Sequence, residues 1–62
     1  MGTITIEYGY DRHQRSWCII VKDEYGYEIE SEYCGDQKWC RHSIKELQKK
    51  YNHSKIVKIK AY

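Results

Sequence analysis

The chain opens on strict alternation: in Thr3-Ile4-Thr5-Ile6-Glu7-Tyr8, polar and apolar side chains exchange places at every step. Successive side chains of a strand point to opposite faces, so this stretch predicts a strand with Ile4, Ile6 and Tyr8 turned inward. Residues 9–16 are polar and charged without periodicity, which predicts a loop. Residues 17–22 predict a second strand, with Trp17, Ile19 and Val21 on one face and Cys18, Ile20 and Lys22 on the other. Asp23-Glu24-Tyr25-Gly26 predicts a turn, because Gly accepts the positive φ that tight hairpin loops require. The alternation is clearest over residues 27–33, where Glu28, Glu30 and Glu32 share one face and Tyr27, Ile29 and Tyr33 the other. A sheet buried on one side then places the Glu row in water, with Ile29 and Tyr33 in the core.

Beyond Gly35-Asp36 the period changes. Cys40, Ile44, Leu47 and Tyr51 follow at i, i+4, i+7 and i+11, one stripe of an amphipathic helix. Two starts fit it: Asp36 as the cap, with Trp39 in the first turn, or a capping box made by Ser43 and Glu46. Lys49 and Lys50 suit the negative end of the helix dipole, and Asn52 suits its stop. Residues 55–62 alternate again, which predicts a final strand with its Lys residues on one face and Val57, Ile59 and Ala61 on the other.

The element order is therefore β-β-β-α-β in one small α+β domain spanning residues 1–62. A right-handed crossover through the helix returns the last strand parallel to the first. The result is a four-stranded mixed sheet, order 3-2-1-4, with a single helix packed on one face. In element order this resembles half of a ribonuclease-H-like core, the arrangement of HicB-type antitoxin domains. The Pro-rich loop of that family, between third strand and helix, is replaced here by Tyr33-Cys34-Gly35-Asp36.

Length sharpens the demand on packing. A chain of 62 residues buries only about 60% of the surface that its unfolded form exposes. With two Trp, seven Tyr and eight Ile but no Phe and no Pro, amphipathic rings must supply much of the core. Three cysteines, no basic-apolar leader and no apolar run of membrane-spanning length predict a cytoplasmic protein with reduced thiols and no membrane partner. The start also lacks the Ser or Thr of a myristoylation signal. The wealth of Lys, Ile, Tyr and Glu is what AT-rich codons encode, as in low-GC bacteria and their phages.

The net charge of +2 conceals three blocks: residues 1–22 carry +1, residues 23–37 carry −6 with no Lys or Arg, and residues 38–62 carry +7. Such sorting gives a small protein an oriented field that selects and steers a partner. On the predicted topology, the uncovered sheet face shows the Glu row along one edge and Lys58 and Lys60 along the other. Edge charges also serve simply to block aggregation.

The expected function is that of a non-enzymatic protein-binding regulator or inhibitor. Its working surface is the acidic strand, comprising Glu24, Glu28, Glu30, Glu32 and Asp36, which occludes a partner such as a nucleic-acid-handling host complex. Tiny, charge-sorted, Tyr-rich chains of this kind are typical of phage and mobile-element regulators, anti-CRISPR proteins and polymerase inhibitors among them. The alternative is a DNA- or RNA-binding regulator using Lys38, Trp39, Arg41, Lys45, Lys49, Lys50, Lys58 and Lys60, since Lys and Arg hold phosphates while an aromatic ring stacks on a base. A homodimer is compatible with either reading. Cys34, Cys40 and His42 offer thiol and imidazole donors for zinc, with Cys18 or His53 as a fourth ligand, but the spacing matches no zinc motif and the expectation is that no metal or other cofactor is bound. No nucleophile with an oriented base and no glycine-rich phosphate loop is present, so catalysis is not expected.

Overall fold

A computed structural model describes residues 2–61. Met1 and Tyr62 lie outside them, so the last residue of the predicted final strand is not assigned. Strand β1 (Thr3–Asp11) and strand β2 (Ser16–Lys22) form a longer hairpin than the alternation predicts. The chain reverses over Arg12–Arg15, where the Asp11 carboxylate accepts the backbone N–H of His13 at 2.9 Å and Arg15 adopts φ 54°. At the next turn the Asp23 carboxylate accepts the N–H groups of Tyr25 and Tyr27. The Gly26 N–H returns to the Asp23 carbonyl, and Gly26 holds φ 86°, a value a side chain would resist. Strand β3 (Glu28–Cys34), helix α1 (Gln37–Lys50) and strand β4 (Lys55–Lys60) complete the order.

The sheet runs β3-β2-β1-β4, with β4 parallel to β1 and the other pairs antiparallel. Of the two candidate starts, the helix uses Asp36, whose carboxylate accepts the Trp39 N–H at 2.7 Å. Ser43 is buried inside the helix instead of capping it. Tyr51 is the C-cap, one residue before the expected Asn52.

Helix α1 lies over β2 and β3. Beneath it Ile4, Ile6, Ile19, Val21 and Cys34 from the sheet meet Cys40, Ile44 and Leu47, with Tyr8, Trp17, Tyr51 and Ile56 packed at the margin. The inward rows predicted for the two central strands are those observed.

Both edge strands differ from expectation. Tyr27, which stands just before β3, is exposed at 70%, and in the strand Ile29 and Tyr33 are exposed at 44% and 60%, whereas Cys34 is buried. Cys34 pairs with Trp17, Glu32 with Ile19 and Glu30 with Val21, all residues of the helix-covered face. Register is set at the Cys34 end: α1 begins three residues later, and a small thiol fits beneath its first turns where a Tyr ring would not. At the other end a bulge intervenes between Val21 and Lys22, with Ile29 the extra residue, and Glu28 pairs with Lys22 on the opposite face. The single row of three Glu residues is thereby split.

In β4, Ile56 pairs with Ile4 and packs against the core. Period two then sends Lys58 and Lys60 to the helix side and Val57 and Ile59 to the uncovered face, where Ile59 is 45% exposed. Ala61 is exposed as well. The uncovered face consequently carries Ile20, Tyr33, Val57 and Ile59 around a Glu7–Lys22 ion pair of 2.8 Å, and Cys18 lies buried among its neighbours.

Candidate functional site

The face exchange at each edge creates a distinct surface. Along β3 and the turn before it, Glu24, Glu28 and Glu32 are exposed. Beside them stand Tyr25, Tyr27, Ile29 and Tyr33, four of the seven large apolar side chains exposed among the described residues. Asp36 is exposed but committed to capping α1. Glu30 is spent internally: its carboxylate accepts from Lys50 Nζ at 2.8 Å and from the Tyr51 hydroxyl. Those two hydrogen bonds hold the Glu30 carboxyl below the usual carboxylate range. In return the bond to Glu30 raises both the Lys50 ammonium and the Tyr51 phenol. Lys50 is thus tied to β3, and Lys49 approaches Glu46 at 3.7 Å.

The opposite flank of α1 is a groove of about 420 Å³. Gln37, Arg41, Ile44, Lys45 and Gln48 of the helix form one wall, Lys58 and Lys60 of β4 the other, and Tyr8 and Trp17 the floor. It lies between the helix and β4, at the end of the sheet where Tyr8 and Trp17 are only half covered, beyond the buried Ile4 and Ile6. Among the described residues no carboxylate lines it. The Trp17 ring is braced edge-on by Tyr10, with centroids 5.7 Å apart.

Of the eight basic and aromatic residues expected to serve a nucleic acid, the fold therefore gathers Arg41, Lys45, Lys58 and Lys60. Lys38, Trp39, Lys49 and Lys50 do not line the groove. Trp39 sits on the other side of the helix, tilted against His42 with centroids 5.3 Å apart. Those rings border a shallower hollow of about 320 Å³ with Glu32, Ser43, Glu46, Leu47 and Lys50. Sequence reasoning gave no binding role to Tyr8, which it turned inward, to Trp17, which it put on one face with Ile19 and Val21, or to Gln37 and Gln48. Both rings are half-buried, and each keeps part of its surface in the groove.

Cys34 and Cys40 belong to the core, and His42 is exposed on the helix exterior. Burial pushes all three thiols up from their ordinary range, so they remain protonated at neutral pH. Among the described residues no group of three or more His, Cys, Asp or Glu is placed to hold a metal ion. None of their helices is long and apolar enough to cross a membrane. Comparison with protein-family models, curated proteins and solved structures finds no match, so the functional reading rests on these two surfaces.

Proposed function

We propose that this chain is a non-enzymatic protein-binding regulator, an inhibitor of the kind phages and mobile elements use, whose docking surface is the β3 edge. The observation that carries the reading is the concentration of Tyr25, Tyr27, Ile29 and Tyr33 in solvent beside Glu24, Glu28 and Glu32. Tyr rings bury large areas at low cost in side-chain entropy and are enriched where proteins meet. Carboxylates around them steer a cationic partner and reject an anionic one. As an edge strand β3 also offers unpaired backbone donors and acceptors to an extended segment, and its alternate side chains select what lies against it. The partner is thus a protein with a basic, extended surface, and a host complex built to hold nucleic acid has such a surface. The three unpaired, buried cysteines favour a cytoplasmic setting for such a regulator.

The test is capture of partners from a nuclease-treated lysate of the host by the tagged protein. Tyr27→Ala with Tyr33→Ala, and separately Glu28→Lys with Glu32→Lys, should each lower the retained partner about thirtyfold or more, the scale of interface anchors. Lys58→Glu with Lys60→Glu should leave it unchanged. Capture that vanishes with nuclease, or that depends on Lys58 and Lys60 but not on β3, overturns the reading.

A further inference from the structure

The geometry points to a second site, in the groove on the far side of the helix, that takes single-stranded nucleic acid. Four cations converge there from two elements distant in sequence: Arg41 and Lys45 on one wall, Lys58 and Lys60 on the other. Their spacing on both banks of a channel suits a backbone that runs along it, with phosphates held alternately from the helix and from the edge strand. A cleft lined by one sign of charge also focuses its field and raises the local concentration of the anion.

The floor decides the strandedness. Tyr8 and Trp17 are half-buried where the four cations are exposed, and Tyr10 packs edge-on against the Trp17 ring to brace it. In a duplex the π-faces of the bases are stacked on one another, and the rigid paired rod cannot lower one of them between the helix and β4. An unpaired base can turn in and stack on an aromatic ring, as single-strand binding surfaces do irrespective of sequence. The volume of about 420 Å³ falls within the range of small-ligand sites and accommodates a base with its sugar.

The acidic β3 edge does not oppose this. Its exposed Glu24, Glu28 and Glu32 do not line the groove, and although Trp17 stands one strand spacing from β3, the cations of β4 stand three spacings or roughly 14 Å away. That exceeds the screening length of about 8 Å at physiological salt.

The experiment uses a fluorescein-labelled 12-nucleotide single strand, its duplex, and inorganic polyphosphate as a polyanion without bases. In a Trp39→Phe background Trp17 is the sole indole and reports contact at the groove floor. The single strand should bind and quench Trp17, whereas duplex and polyphosphate bind more weakly and leave it unquenched. Four phosphate contacts predict a loss of about fiftyfold in affinity between 50 and 200 mM salt. Arg41→Glu with Lys45→Glu, or Lys58→Glu with Lys60→Glu, should each weaken binding by about tenfold or more. Both pairs are exposed, so an unchanged circular dichroism spectrum will show that the fold is kept. Failure of the single strand to bind at 50 mM salt, equal binding of duplex or polyphosphate, or binding without quenching of Trp17 each overturns the proposal.

Discussion

At the residue scale, the burden of stability falls on very few side chains. Ile6, Ile19 and Val21 are the apolar side chains of the sheet that are wholly withdrawn from water. Each contributes about 1.5–3 kcal/mol by burial. Total stability for a chain of this length is roughly 3–9 kcal/mol. Ile19→Ala, which removes the contacts and leaves a cavity, should cost about 2–5 kcal/mol and bring the protein near to unfolding at 25 °C. Tyr33 presents the contrasting case: its ring is 60% exposed, so Tyr33→Ala should cost less than about 1 kcal/mol. Urea titrations of the two variants check this directly. A Tyr33→Ala loss as large as that of Ile19→Ala would mean that β3 turns its other face inward.

At the scale of elements, the union of β3 with α1 depends on a polar fastening as well as on Cys34. Glu30 reaches from the edge strand to Lys50 and Tyr51 at the end of the helix, and its carboxyl is held below the usual range by the hydrogen bonds they donate. A carboxyl whose folded-state pKa is depressed contributes stability above its unfolded value, about 4.3 for Glu, and that contribution is lost as pH falls through the folded-state value. The pair is partly solvated, so the contribution at neutral pH is modest. Glu30→Gln imitates the protonated form. Its urea midpoint should lie below that of the parent at pH 7, and the gap should narrow as the pH falls below about 4.3. A gap that stays constant down to pH 3 would show that the carboxylate charge plays no part in fastening the helix.

At the scale of the whole molecule, sheet order governs the electrostatics. The order β3-β2-β1-β4 places the acidic strand and the basic strand at opposite edges, so apart from the Glu30–Lys50 pair the exposed charges of the two strands form separate surfaces. Their interaction depends on ionic strength. At 150 mM salt, Glu28→Lys with Glu32→Lys should change the affinity of the groove for the 12-nucleotide strand by less than about twofold. At 10 mM, where the screening length reaches about 30 Å, the same reversal should strengthen binding clearly. Anisotropy titrations at the two salt concentrations measure both effects. A strong effect at 150 mM would show that the edges share one binding surface.

Much of the architecture is written locally. The order of five elements, the antiparallel hairpins, the parallel return through a helix and the inward rows of β1 and β2 follow from period and turn chemistry, because alternation and the i, i+4, i+7 stripe are properties of neighbouring residues. The basic character of Arg41, Lys45, Lys58 and Lys60 and the acidity of the third strand were equally legible. Alternation states which residues share a face, but not which face is covered, and at an edge strand both rows contain something that tolerates water. Tertiary structure made that choice: Cys34 fits beneath the start of α1, the bulge at Ile29 divides the Glu row, and Ile56 takes the place beside Ile4. The groove has the same origin. Arg41 and Lys58 line one groove only because α1 and β4 flank the half-covered end of the sheet at Tyr8 and Trp17, and the lateral placement of a helix on a sheet is settled by packing across the whole core.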